Sequence, residues 1–325
     1  MPEHNERGLA RRPIGTTGLE LPVLGFGMAP IGDMPETYGR AVPEEDAQAT
    51  VRAALGSPFP FIDTSRNYGM GRSEERVGRV LSSMNGMPPD GVLSTKLDRD
   101  ENDRLDRDRA RRSLEASFAA LNVDSVDILH IHDPEHCRDV DEVVREAVPE
   151  LFRMREEGLC RAVGLAAGRI DVMMPIVREF PFDCLITHNR WTLVNANARP
   201  LLELAAERGI AVINAAPFAS GALVQGAAKA RRYAYQTPTE AMLEPLRAVE
   251  AVCREHGVPL GAAALQHSLR TPGIASTLVG AENASEVEQA IEWAMADLPD
   301  ALWAALDAAG RTNDDPEATR DYVLG

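Results

Sequence analysis

Short apolar runs alternate along this chain with longer stretches whose apolar residues recur every three or four positions. Runs of this kind predict buried strands, and the longer stretches predict amphipathic helices. Strands are expected at residues 21–28, 59–63, 91–96, 126–132, 161–167, 183–188, 209–216 and 275–280. Helices are expected at 44–55, 73–81, 104–121, 140–157, 172–180, 200–208, 241–256, 261–270, 284–296 and 302–309. Thr17-Gly18 between two short runs predicts a small hairpin ahead of the first strand. Residues 1–12 read as a polar tail, 225–239 as a polar loop insertion, and 311–325 as a C-terminal tail.

Eight strands alternating with helices, roughly 30 to 40 residues apart, predict a TIM (β/α)8 barrel as a single domain over residues 1–325, with an N-terminal β-hairpin and an extra C-terminal helix. A doubly wound sheet is the rival fold. It wants a G-x-G-x-x-G turn after the first strand, and LGFGMAP does not supply one.

Composition narrows the function. The 325 residues are 44% hydrophobic and 26% charged, as expected for a globular chain with a full core. A net charge of −16 without a basic stripe argues against a nucleic-acid partner. No apolar run reaches the roughly 18 residues of a membrane span, and the polar N-terminus lacks a signal core, so a cytoplasmic protein is expected. Cys137, Cys160, Cys184 and Cys253 are scattered without a CxxC and read as reduced thiols.

In a barrel, polar residues at the carboxyl ends of the strands converge on one rim. Here the second strand ends in Asp63, the third in Lys96 and the fourth in His132, with Tyr68 on the loop after the second. A phenol is a poor acid or base at neutral pH. A neighbouring ammonium lowers its pKa, a carboxylate holds that ammonium in place, and an imidazole orients an alcohol or carbonyl oxygen. The set is a proton-transfer device for interconverting alcohol and carbonyl, and it requires a hydride carrier. Taken singly, Asp63 reads as a cap, Lys96 as a solvated strand end and Tyr68 as packing. Their order at successive strand ends favours chemistry. His130 shares the face of His132. The pair H-x-H binds metal elsewhere, yet no further ligands accompany it and Lys96 is the wrong neighbour. No metal is expected, and His130 reads as a hydrogen-bonded core residue. The mixed charges at 98–112 read as a solvated helix start.

The stretches LGFGMAP, FIDTSRNYG with GRSEERVG, LSTK, RRSLEASFAALNVDSVDILHIHDP, GLCRAVGL and PFASGAL, in this order, resemble the aldo-keto reductase superfamily. The IHDP ending with STK and PFxSG is most similar to the branch of D-threo-aldose, L-fucose and L-galactose 1-dehydrogenases. The resemblance implies a nicotinamide cofactor and a catalytic tetrad of Asp63, Tyr68, Lys96 and His132, with Tyr68 moving the proton. It implies cofactor contacts at Gly27, Met28, Asp63, His188, Phe218, Ser220, Gly221, Leu223, Gly280, Glu282, Glu286 and Gln289. Substrate contacts are expected at Arg66, Tyr68, His132 and Trp191. The chain departs from the family where Ala166-Ala167-Gly168 stands for Ser-Asn, His188 for Gln and Ala215 for an aromatic. Glu282 and Glu286 replace residues that take the 2′-phosphate of NADP, so NAD is expected, with NADP as the alternative. The expected activity is hydride transfer between a sugar-like or small alcohol or aldehyde and nicotinamide. The rivals are an NADPH-dependent aldehyde or ketone reductase and a non-catalytic nicotinamide-binding regulatory protein.

Overall fold

The computed structural model describes residues 10–320; the expected tail residues 1–9 and 321–325 lie outside them. A hairpin of β1 (Arg11–Pro13) and β2 (Glu20–Pro22) precedes the barrel strands β3 (Leu24–Gly27), β4 (Phe61–Asp63), β5 (Val92–Leu97), β6 (Val126–His132), β7 (Cys160–Ala167), β8 (Cys184–His188), β9 (Ala211–Ala215) and β10 (Ile274–Gly280). The eight are parallel and close in the order β10-β3-β4-β5-β6-β7-β8-β9. This is the expected (β/α)8 barrel.

The helices lie outside it: α1 (Glu44–Leu55), α2 (Arg72–Met84), α3 (Arg107–Leu121), α4 (Val148–Glu156), α5 (Ile170–Glu179), α6 (Arg199–Arg208), α7 (Glu240–Glu255), α8 (Leu260–Arg270), α9 (Ala284–Met295) and the extra α10 (Asp300–Ala309). No helix of the described residues is long and apolar enough to cross a membrane.

Two apolar layers hold the fold. Outward-facing strand residues such as Leu24, Ile62, Leu129 and Val163 pack with the helices. Inward-facing Phe61, Val92, Ile128, Cys184 and Ile213 fill the barrel, and Ile14, Leu19 and Leu21 of the hairpin join them. Alternation along each strand then carries Asp63, Lys96, His132 and His188 toward one end on the inner side. All four cysteines are free and buried.

Several elements differ from expectation. The run 21–28 is not one strand. Val23 separates the antiparallel hairpin from β3, which must turn to pair in parallel with β4 and β10. Arg11 and Arg12 are not tail. They pair with Pro22 and Leu21 in the hairpin, and Arg12 donates to the carbonyls of Ile274 and Leu269. The helix at 140–157 is interrupted by a π-helical turn at Val143–Ala147, next to Pro149, which has no N–H to continue an α ladder. Residues 311–320 do not trail away. Thr312 bridges to Asn195, and the segment beyond it folds onto the end of β8.

Candidate active site

The loop after β4 carries Tyr68, and its path is fixed by a close backbone approach. Gly69 adopts φ +63°, and a Cβ there would sit 1.8 Å from the carbonyl oxygen of Gly32. Only glycine fits. At the foot of this loop Lys96 Nζ donates to Asp63 Oδ2 at 2.6 Å and to the Thr64 carbonyl at 2.7 Å. Ser94 donates to the other Asp63 oxygen at 2.8 Å. Lys96 is 2% exposed and Asp63 3%, so the pair is desolvated and each charge depends on the other. The ammonium lies 4.8 Å from the centre of the Tyr68 ring. The imidazole of His132 meets that ring edge-on at 5.7 Å between centroids. The four residues expected as a tetrad are thus gathered at one end of the barrel.

The electrostatics correct one expectation. Burial, followed by the Asp63 carboxylate, pushes the Tyr68 phenol well above its usual pKa. The Lys96 ammonium, shared between Asp63 and Thr64, does not reverse this. Tyr68 is therefore held as the neutral phenol.

Beneath the rim, His130 is fully buried, and neither ring nitrogen has a hydrogen-bond partner. The expected hydrogen-bonded core histidine is therefore a packed, neutral one. Burial and the nearby Lys96 and His132 charges hold its pKa well below normal. Gly164 makes the room, since a Cβ there would stand 2.3 Å from His130 Nδ1.

Three residues that sequence reasoning passed over complete the mouth. Asp98, placed at the edge of a solvated run, is fully buried, and its Oδ1 lies 2.5 Å from His132 Nδ1. Tyr235, on the 225–239 insertion, stands 6.3 Å from Tyr38 and 6.0 Å from His188 between ring centres. Glu317, from the presumed tail, accepts from Asn189 and Arg190, each at 3.0 Å, and lies 3.1 Å from His188 Nδ1. The polarity of the insertion was a signal for the second of these. Nothing local marked the first or third.

The expected cofactor residues divide into two groups. Gly27 ends β3 and the buried Met28 follows it, and Met28 N donates to the Asp63 carbonyl at 2.8 Å. His188 ends β8, beside Asn189, whose buried Oδ1 has no partner. An orphaned acceptor at this place fits the amide of a nicotinamide. After β9, Ala219, Ser220 and Gly221 take successive positive φ values of 47°, 59° and 85°. Ser220 Oγ accepts from Tyr235 N at 2.8 Å, Leu223 is buried, and Phe218 packs edge-on against Trp293 at 5.7 Å. At the far end are Gly280, Glu282, Glu286 and Gln289. The two acids are not free carboxylates: Arg40 binds Glu282 through Nε and Glu286 through Nη2. Gln289 donates to Glu292 at 2.8 Å on an exposed face.

Of the expected substrate residues, Arg66 is held 3.5 Å from the buried Glu74. Trp191 does not join the tetrad. It is 7% exposed, stacks on His267 of α8 at 5.9 Å and donates its indole N–H to Thr271 at 2.9 Å. The apolar ring is seated where its one polar group finds an acceptor. No group of His, Cys, Asp and Glu fit to hold a metal ion exists among the described residues.

A sequence model of the Aldo/keto reductase family matches residues 23–311. The chain belongs to the aldo/keto reductase family. It is 32% identical over 320 residues to a D-threo-aldose 1-dehydrogenase of Pseudomonas sp, covering 90% of this chain and 95% of that one. It is also 32% identical over 283 residues to the L-galactose dehydrogenase of Arabidopsis thaliana, covering 86% of each. Its fold matches a Bacillus halodurans aldo-keto reductase, solved in the holo form, with a TM-score of 0.76 over 96% of this chain and 99% of that one, at 18% identity. This aldo/keto reductase is an oxidoreductase of a family that binds nicotinamide cofactors and acts on small molecules.

Proposed function

We propose that this aldo/keto reductase is a dehydrogenase of sugar-like alcohols that also reduces the corresponding carbonyls, with Tyr68 as the group that moves the proton. The single observation that supports it is the meeting of Asp63, Lys96, Tyr68 and His132 at the mouth. The nicotinamide, when bound, supplies or accepts the hydride. In the reducing direction Tyr68 gives its proton to the carbonyl oxygen as that oxygen gains charge. Lys96 then faces the phenolate, and Asp63 keeps the ammonium in position. His132 aims the substrate oxygen at Tyr68. In the oxidising direction the steps reverse: Tyr68 first gives up its proton to solvent, and the phenolate, facing Lys96, takes the alcohol proton as the hydride leaves.

The relatives' names, which refer to an aldose and to galactose, support a polyol-like substrate. Tyr38 and Tyr235 give the mouth two aromatic walls, and Asp133 adds an acceptor for hydroxyl groups. For the cofactor, Asn189 and His188 would hold the amide and the loop from Phe218 to Leu223 the pyrophosphate. Glu282 and Glu286 would take the adenosine ribose. With both acids already on Arg40, the cluster has a net charge near −1, which disfavours a 2′-phosphate. We read the cofactor as NAD.

The test is a panel of aldoses, polyols and aldehydes with NAD, NADP and their reduced forms, followed at the nicotinamide absorbance, on wild type and Tyr68→Phe. The expected result is turnover of a sugar-like alcohol with NAD, lost by about 10²-fold or more in Tyr68→Phe. Cofactor affinity should change little. Equal turnover in the two proteins would end this reading, and turnover only with NADP would end the cofactor assignment.

A further inference from the structure

The buried acid Asp98 lies just beyond β5, two residues after Lys96, and its backbone is pinned on both sides. Its N–H donates to Ser113 Oγ of α3 at 2.9 Å, and its carbonyl accepts from Arg109 Nε at 2.8 Å. The side chain is thereby aimed inward, with no exposure to solvent. Its two oxygens serve two segments. Oδ1 lies 2.5 Å from His132 Nδ1. Oδ2 accepts from Ser65 Oγ at 2.6 Å and from the N–H of Asn67 at 3.1 Å. Asn67 is the residue before Tyr68. One carboxylate therefore ties the histidine of β6 to the loop that carries the phenol.

A fully buried carboxylate is costly unless it is matched by charge and hydrogen bonds. Two neutral donors and one imidazole surround Asp98, and the imidazole can bring a compensating charge. Lys96 is nearby, but it is engaged with Asp63 and Thr64. The far nitrogen of His132, Nε2, stands 3.6 Å from Asp133 Oδ2, beyond hydrogen-bond reach.

We propose that Asp98 is a positioning residue of the reaction: it fixes the His132 ring through Nδ1–H, holds that ring as an imidazolium with Nε2–H turned to the substrate oxygen, and anchors the Tyr68 loop in the same register. The groups facing His132 agree in sign. Asp98 and Asp133 favour the cation, Lys96 opposes it, and the neutral His130 and Tyr68 add no net charge. Together the two acids raise the His132 pKa against the effect of burial, and His132 in turn lowers that of Asp98. The consequence is a second positive charge beside Lys96 where an alkoxide-like oxygen develops, which stabilises it.

This inference rests on the tetrad reading, and the experiment separates the two. The imidazole protons of the chain's seven histidines are followed by NMR against pH in wild type, with His132→Gln used to identify the resonance. His132 should remain protonated well above the ordinary histidine value of about 6.5. In Asp98→Asn, which keeps the side chain's shape and removes its charge, it should titrate near or below that value. With the substrate found by the panel, Asp98→Asn should lose about 10- to 100-fold in kcat with the cofactor Kd unchanged. Its reduction rate should fall with rising pH across the range where the wild type is flat. A wild-type His132 that titrates normally, or one that titrates alike in both proteins, overturns the proposal whatever the activity. Full turnover of Tyr68→Phe overturns the tetrad reading instead, while the resonance still decides whether Asp98 charges His132.

Discussion

Glu317 Oε1 lies 3.1 Å from His188 Nδ1, so a residue near the end of the chain is part of the barrel mouth. The same oxygen accepts from Asn189 and Arg190, and Arg320 binds the second oxygen at 2.7 Å. With these partners the Glu317 carboxyl is held well below its usual pKa, against the raising effect of burial. Stability from this group is present above the ordinary glutamate range and is lost as pH falls toward the folded value. Glu317→Ala leaves a buried Arg190 with Asp315 as its remaining acid at 2.7 Å. A loss of about 1–3 kcal/mol is expected, read as a lower urea midpoint at pH 7 that converges on the wild type in strong acid. Equal midpoints at pH 7 would show that the tail does not hold the mouth.

Lys96 and Asp63 depend on each other in a different way. Breaking a buried pair from one side leaves an uncompensated charge and costs about 3–5 kcal/mol. Lys96→Met should therefore both destabilise the protein and abolish turnover. Lys96→Met with Asp63→Asn should recover most of the stability, because the buried charge is gone, and none of the turnover. Recovery of activity in the double variant would remove Lys96 from the chemistry.

The cluster of Arg40, Glu282 and Glu286 sets up a selectivity experiment. Replacing both acids by alanine releases the guanidinium to meet a 2′-phosphate. The ratio of kcat/KM for NADP over NAD should rise by tenfold or more, about 1.4 kcal/mol. An unchanged ratio would place the adenosine ribose elsewhere.

Glu74, fully buried at the start of α2, gives a pH-dependent stability term. Burial raises its pKa to about 7 against the lowering by the Thr95 hydroxyl and Arg66. The unfolded chain releases this proton near the ordinary glutamate value of 4.5, so the folded protein binds the extra proton between these limits. Stability is full below about pH 4.5 and falls as pH rises toward 7. Glu74→Gln keeps an acceptor for Thr95 and removes the titration. Relative to wild type it should gain about 1–3 kcal/mol between pH 5 and pH 8, measured by urea midpoints. A wild-type-to-variant difference that is constant with pH would contradict the neutral buried acid.

The barrel was legible in the sequence because its signals are local. A strand declares itself by a short apolar run and a helix by its period, and side-chain alternation then sends the last polar residue of each inner-facing set to one rim. That is why Asp63, Lys96 and His132 stood out together, and why the Gly- and Asn-rich loop after β4 marked Tyr68. Boundaries failed where direction changes without a change in composition, as at Val23, or where a proline interrupts a continuous amphipathic pattern, as at Pro149.

The sequence by itself determined the architecture, because strand and helix patterns depend on neighbours a few residues apart, and it pointed to Asp63, Tyr68, Lys96 and His132 through their order at successive strand ends. Only the tertiary structure decided what surrounds them. Asp98 and His132 are 34 residues apart, Glu317 and Asn189 are 128 apart, and Arg40 and Glu282 are 242 apart. No periodicity links such positions. The meaning of a charge also changes with burial. Asp98 read as a solvated acid at a helix start and is instead the desolvated partner of His132. Water screens a charge at the surface, whereas in the interior each charge must find its complement. Closing the barrel is what brings these complements within reach.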